Sequence, residues 1–200
     1  GNKPDPDNLG AMSVAVMYDI GKILQVGGNG GWNSDGLPAS NKATSIDINS
    51  SSPVLTELPR MSIPRRMANG IVLANGEVVI TGGTRRGNDA GGNEVYAAEI
   101  WNPNTNSWRL GASASTIRVY HSITSLLLNG AIISTGGGAP GPVTNKAGEV
   151  YYPPYLFEQV GSASRLAARP IIRGISGLKY SHGTTMQMDM GSTESISGLS

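Results

Sequence analysis

The chain has 200 residues, of which 28 are glycine, none is cysteine and 38% are hydrophobic. That hydrophobic share supports a folded core, and the glycines follow no G-X-Y period, so disordered and collagen-like chains are excluded. Fifteen basic against fourteen acidic side chains leave a net charge of +1: there is no basic field for nucleic acid or a membrane surface, and no cysteine for a disulfide or a cysteine-ligated zinc within these residues.

Residues 1–8 read as a loop, with neither an initiator Met nor a charged-then-apolar leader. Three apolar runs follow, each ending in glycines: residues 14–26 at Gly27-Gly28, residues 71–81 at Gly82-Gly83, and residues 123–135 at Gly136-Gly137-Gly138. The clusters recur at intervals of 55 and 54 residues. Each run holds an internal turn: Asp19-Ile20-Gly21, Asn75-Gly76 or Asn129-Gly130. Asn-Gly between apolar segments predicts a hairpin with a type I′ turn, in which both central residues take positive φ.

Each unit thus opens with a β-hairpin whose second strand ends in Gly-Gly. After a polar loop, further strands are predicted at residues 44–48, 96–101 and 148–152. In the middle unit the turn Asn102-Pro103-Asn104-Thr105-Asn106-Ser107 leads into a strand carrying Trp108. A four-stranded unit of about 50 residues with Gly-Gly and a later Tyr or Trp is a kelch-type propeller blade. No helical periodicity of useful length occurs. Propellers close with about four to eight blades. About three are present, so other segments are expected to complete the ring.

After Tyr155-Leu156-Phe157 the pattern changes. Residues 167–173 read as a linker entering a new strand, and the remainder alternates apolar and polar around residues 185–190. The expected organisation is a partial propeller over residues 1–160 and the truncated start of a β-sandwich domain over residues 168–200.

Only two histidines are available for metal or acid–base chemistry. His121 lies in Arg118-Val119-Tyr120-His121-Ser122, at the start of the third hairpin. The first strand of a blade lines the central channel, so Tyr120 and His121 are placed to offer an oxygen and a nitrogen to one ion, a donor set that suits Cu(II). On spacing alone, a structural Tyr and His is the simpler reading. His182 sits at a predicted turn and reads as a surface residue. Asp5, Asp7, Asp19 and Asp35 have no calcium-loop spacing, and no Gly-Lys-Ser/Thr follows the glycines to make a phosphate loop. Arg65-Arg66 and Arg85-Arg86 read as solvated loop charge, with a substrate-binding rim as the alternative. Asn49-Ser50-Ser51 is an N-glycosylation sequon, of consequence in a secreted eukaryotic protein.

The string Ile117-Arg118-Val119-Tyr120-His121-Ser122-Ile123, with Leu126-Leu127-Leu128-Asn129-Gly130 and Gly136-Gly137-Gly138, resembles the copper radical oxidases, the family of galactose oxidase and glyoxal oxidase. Ala15-Val16-Met17-Tyr18-Asp19, Ile80-Thr81-Gly82-Gly83, Glu99-Ile100-Trp101-Asn102-Pro103 and Pro153-Pro154-Tyr155-Leu156-Phe157 extend the likeness in order along nearly the whole chain. The resemblance implies an all-β fold, a seven-bladed kelch propeller followed by an immunoglobulin-like β-sandwich. It implies one copper ion on the propeller axis, Tyr120 as axial tyrosinate and proton acceptor, and His121 as one of two histidine ligands. It also implies oxidation of a small alcohol, aldehyde or sugar with reduction of O₂ to H₂O₂, outside the cell, without nucleic-acid or membrane partners.

This chain departs from the family pattern in several places. The family's radical cofactor joins a tyrosine to a cysteine, and the cysteine-free chain cannot form it internally; the pair and the second histidine are expected outside Gly1–Ser200. The isolated segment is therefore expected to be inactive and to need the remaining blades and the C-terminal domain. Where galactose oxidase carries a Tyr-Gln pair facing substrate, this sequence has Trp32 and Asn33. Two pocket aromatics fall near Met67 and Ala90, so Trp32, Asn33 and Met67 are the expected substrate-binding residues of a reshaped pocket. The alternative function is a kelch module that binds carbohydrate or protein without catalysis.

Overall fold

The computed structural model of the chain describes residues 12–29, 37–87, 91–137 and 145–191. The chain divides into two compact units, Gly1–Tyr152 and Pro153–Ser200.

The first unit is built from three antiparallel meanders. β1 (Val14–Asp19), β2 (Lys22–Val26), β3 (Ala43–Asp47) and β4 (Val54–Leu58) form the first sheet in sequence order. β5 (Asn69–Val72), β6 (Val78–Thr81), β7 (Ala97–Asn102) and β8 (Ser107–Ser113) form the second in the same order. β9 (Ser122–Leu126), β10 (Ile132–Gly136) and β11 (Gly148–Tyr151) form the third. The inner strands β1, β5 and β9 neighbour one another in turn, as in successive blades of a propeller. The fold is all-β among the described residues apart from the 3-10 turn Pro154–Leu156.

The turns inside the three hairpins differ from the type I′ expectation. Gly21, Gly76 and Gly130 have φ of +66°, +82° and +81°, whereas Asn75 and Asn129 are not left-handed. In the second hairpin Gly76 N–H donates to Leu73 C=O (2.9 Å) and Leu73 N–H to Glu77 C=O (2.7 Å). The third repeats this at Gly130, Leu127 and Ala131. The reversal is spread over five residues, so only its fourth must be left-handed, and glycine supplies it without a Cβ penalty.

The first two sheets pack through Leu24, Val26, Met61, Val78, Ile80 and Trp101, all nearly excluded from solvent. Tyr18 meets Trp101 edge-on at 4.8 Å between centroids, a favoured aromatic geometry. Both ring N–H groups have acceptors: Trp101 Nε1 donates to Asn106 Oδ1 at 3.3 Å and Trp108 Nε1 to Pro59 C=O at 2.8 Å.

The second unit contains two hairpins, β12 (Phe157–Val160) with β13 (Ala163–Leu166), and β14 (Ile172–Ile175) with β15 (Met188–Met190). Their side chains are mostly exposed. No helix among the described residues is long and apolar enough to cross a membrane.

Candidate functional site

Each inner strand of the first unit is preceded by a residue with a left-handed backbone: Met12 (φ +65°) before β1, Met67 (+56°) before β5 and His121 (+64°) before β9. These positions are 55 and 54 residues apart, the interval of the glycine clusters. Left-handed φ is uncommon for residues with a Cβ, and its recurrence at equivalent positions makes it part of the blade design. Met67 N–H donates to Met12 C=O at 3.1 Å, and Asn69 Nδ2 donates to Ser122 Oγ at 2.9 Å. Met67 and His121 therefore open adjacent inner strands at the same end of their sheets. Met67 itself is buried.

Around His121 the chain is pinned on both sides. Arg118 and Val119 are buried, Tyr120 is half-buried and His121 is exposed. Ser122 N–H donates to Val119 C=O at 3.0 Å, closing a tight turn through Tyr120 and His121. Gly136 and Gly137 run against this turn: a Cβ on Gly136 would lie 3.0 Å from His121 O, and one on Gly137 3.7 Å from Val119 N. The turn presents the two rings together, with centroids 3.7 Å apart and planes inclined by 31°. A phenol oxygen and an imidazole nitrogen are thus carried on one short, constrained segment.

Beneath the turn lies a device that sequence reasoning missed. Arg65-Arg66 is not solvated loop charge: the two side chains are 1% and 0% exposed. Arg65 Nη2 bonds Glu99 Oε1 at 2.9 Å, and its Nη1 donates to the carbonyls of Gly82 and Ala97. Glu99 also accepts the N–H groups of Ser62 (2.7 Å) and Ile63 (3.0 Å). The third sheet has the same arrangement. Arg118 Nη1 donates to Gly136 C=O at 2.9 Å, while Glu149 accepts from the N–H groups of Ser115 and Thr116 and from Ser115 Oγ. Each Arg–Glu clasp ties the segment leading into a blade to that blade's third strand. Arg85 and Arg86 are exposed, as the loop-charge reading expects. The missed signal was the recurrence of Arg before the first strand (65, 118) and Glu on the third (99, 149) with the blade repeat.

The glycine pairs Gly27-Gly28 and Gly82-Gly83 each receive the lead-in segment of the next blade. Gly83 N–H donates to Arg118 C=O at 2.7 Å, and Gly28 N–H to Arg65 C=O at 2.9 Å. A Cβ on Gly82 would sit 2.5 Å from Arg118 O, and one on Gly27 would collide with the Arg65 carbonyl. Glycine is required there by space as well as by φ.

Among the described residues, no three His, Cys, Asp or Glu side chains converge on one point. A metal held at Tyr120 and His121 would take its other ligands from outside those residues. The oxygen and nitrogen donors present fit part of a copper site. Trp32 and Asn33, with Asp5, Asp7, Asp35 and Ala90, lie outside the described residues. His182 is exposed at a turn of the second unit.

No protein-family model matches the chain. Two curated galactose oxidases of Gibberella zeae, one of them from strain PH-1, are each 33% identical to it over 166 residues, covering 79% of this chain and 24% of the relative. A fungal alcohol oxidase of the AA5 family, solved in complex with copper, superposes with a TM-score of 0.78 at 26% identity, covering 90% of this chain and 38% of its own. The chain therefore spans about a quarter of the length of the curated relatives it matches.

Proposed function

The chain is a relative of the copper radical oxidases, and from that premise we propose that it is the part of such an enzyme that carries the tyrosine and one histidine of the copper site. The observation that carries this reading is the Tyr120–His121 turn, whose two rings are stacked together and whose backbone is held between the Arg118 anchor and Gly136 and Gly137. Bound copper supplies two-electron oxidation of an alcohol or aldehyde coupled to reduction of O₂ to H₂O₂.

The chain's own residues have narrower tasks. The His121 imidazole donates nitrogen to the metal. The Tyr120 oxygen stands beside it to receive the hydroxyl proton of the substrate, as a base held within reach of the group it deprotonates. The fixed turn keeps the two groups in register, so binding does not have to order them. Trp32, Asn33 and Met67 are proposed to shape the substrate pocket: Trp32 offers a stacking face, Asn33 a hydrogen-bonding amide and Met67 an apolar wall. The same reading assigns residues 1–160 to the propeller and 168–200 to the start of a sandwich domain. It places the protein outside the cell, which the exposed sequon at Asn49 supports. The radical Tyr–Cys pair and the second histidine belong to the parts of the enzyme beyond this chain, so residues 1–200 alone are expected to give no turnover.

The test uses the complete enzyme loaded with copper, with EPR for the metal and a peroxide assay for turnover. Tyr120→Phe is expected to abolish most oxidation while leaving copper bound, and His121→Ala to weaken copper binding. An unchanged rate in Tyr120→Phe would remove that residue as the base. Normal copper affinity in His121→Ala would favour a propeller that binds without catalysis.

A further inference from the structure

The sequence holds one Asn-x-Ser/Thr sequon, Asn49-Ser50-Ser51. It falls on the turn between β3 and β4, where residues 48–53 are all exposed. Local bonds fix this turn: Asn49 N–H donates to Asp47 Oδ1 at 2.9 Å, and Ser50 Oγ to Ser52 C=O at 2.6 Å. The Asn49 side chain reaches the neighbouring β1–β2 turn, where Nδ2 donates to Ile20 C=O at 2.9 Å. Gly21 leaves room for it, since a Cβ there would collide with the Asn49 carboxamide. An amide nitrogen carries two hydrogens, so Nδ2 can take one substituent and still keep its bond to Ile20.

Space and surface chemistry around Asn49 point the same way. Asn49 and Ser50 border an open groove of about 570 Å³ between the first and second sheets, lined also by Tyr18, Ser45, Thr56 and Asn106. Hydroxyls and an amide along its length suit a neutral, polyhydroxylated occupant. Beside it the surface is apolar: Ile20 is 85% exposed, Val54 54% and Ile48 45%. Ile20 is bonded to Asn49 itself, Ile48 N–H donates to Gly21 C=O at 2.8 Å, and Val54 lies opposite Asp47. The three residues therefore cluster about the sequon. Apolar groups gathered on a surface mark a place that something covers.

We propose that Asn49 is an N-glycan acceptor and that the attached sugar covers the apolar cluster of Ile20, Ile48 and Val54. The donor is a lipid-diphosphate-linked oligosaccharide. Asn49 Nδ2 forms a bond to C1 of its first sugar and gives up one proton; the C1–O bond breaks, and the diphosphate leaves with the electron pair. The site rests on the extracellular reading above, because a sequon meets that donor on the secretory route. It also leaves the Tyr120–His121 turn open. Val14 pairs with Val26 and Ala43 with Leu58 at the end of the first sheet that follows Met12, whereas Asp19, Lys22, Asp47 and Val54 form the opposite end, which carries the sequon.

The test secretes the complete enzyme from a yeast host and maps its tryptic fragments by mass. The fragment Ala43–Arg60 contains a single asparagine, Asn49, and is expected to carry a sugar mass that peptide:N-glycosidase removes. Ser51→Ala leaves Asn49 and its bond to Ile20 in place, and should lose that mass; Ser51→Thr should keep it. Loss of the sugar in Ser51→Ala should raise binding of a hydrophobic dye, and Ile20→Ser added to that variant should return it to the original level. A bare Asn49 in the secreted protein would overturn the proposal. That result would not bear on the native location, because the host exports the protein in either case. Sugar retained on this fragment in Ser51→Ala, or dye binding that does not rise when the sugar is lost, would overturn it as well.

Discussion

The sharpest energetic contrast in the structure lies between Glu99 and Glu149, two carboxylates at equivalent places in neighbouring blades. Glu99 and its partner Arg65 both have 0% side-chain exposure, at 2.9 Å. Replacing Glu99 by Ala leaves a buried guanidinium without a counter-charge and strands the N–H groups of Ser62 and Ile63. Burial already depresses the Arg65 pKa, and the Glu99 charge is what opposes that. Breaking a buried pair costs about 3–5 kcal/mol, and each orphaned N–H about 1–3 more, although the terms overlap. Glu99→Ala is therefore expected to lose about 4 kcal/mol or more, a large part of the stability of an ordinary domain. Glu149 is 26% exposed and 3.6 Å from Arg118. Its bonds go to the exposed Ser115 and half-buried Thr116, which water can serve, while the buried Arg118 keeps its bond to the Gly136 carbonyl, so Glu149→Ala should cost less, about 1–3 kcal/mol. Urea unfolding followed by tryptophan fluorescence reads both, since Trp101 and Trp108 sit in the packed region. The double variant Arg65→Met/Glu99→Leu should recover most of the loss, because an apolar pair of similar volume strands no charge. Equal costs for the two glutamates, or a loss below about 2 kcal/mol for Glu99→Ala, would refute the burial reasoning.

Three further outcomes follow from the same structure. Gly82→Ala places a Cβ 2.5 Å from Arg118 O at a φ of +65°; it should destabilise by several kcal/mol or displace the Tyr120–His121 segment, and a weakened copper affinity in the complete enzyme would show the latter. Burial works to raise the Glu77 carboxyl, but hydrogen bonds from Arg109, Asn75 and Asn102 outweigh it and hold the pKa below its ordinary 4.5; the bonds from Ser115 and Thr116 likewise outweigh burial at Glu149. Both groups bind protons more weakly when folded, so their contribution is complete above about pH 4.5 and is lost as pH falls through the lower folded values. Melting temperature should decline below that pH, less steeply in Glu77→Gln, and an identical slope in that variant would contradict the assignment. Trp108→Ala removes a ring packed on the first core and its bond to Pro59 C=O; a loss of about 3 kcal/mol by chemical denaturation is expected, and a change under about 1 kcal/mol would show that this strand packs loosely.

Much of this protein can be read from its sequence, because the information is local. Alternating apolar runs, Asn-Gly turns and Gly-Gly stops recur at 55 and 54 residues, and they are enough to define antiparallel meanders and their number. Tyr120 and His121 stand out through the string around them. The remaining features depend on contacts far apart in the chain. Arg65 and Glu99 are 34 residues apart, and only tertiary pairing turns an apparent loop cation into a buried clasp. The left-handed Met12, Met67 and His121 have no local signature, since their backbone is set by the neighbouring blade and not by their side chains. The type I′ expectation failed for a related reason: the hydrogen bonds that close the turn, from Leu73 to Glu77 and from Leu127 to Ala131, widened it by choosing the strand register. Composition bears on function only through the net charge of +1 and the absence of cysteine. Which of the charged residues are buried, and which rings meet, was decided by the packing of one blade on the next, because burial and register are properties of pairs of segments that no single segment encodes.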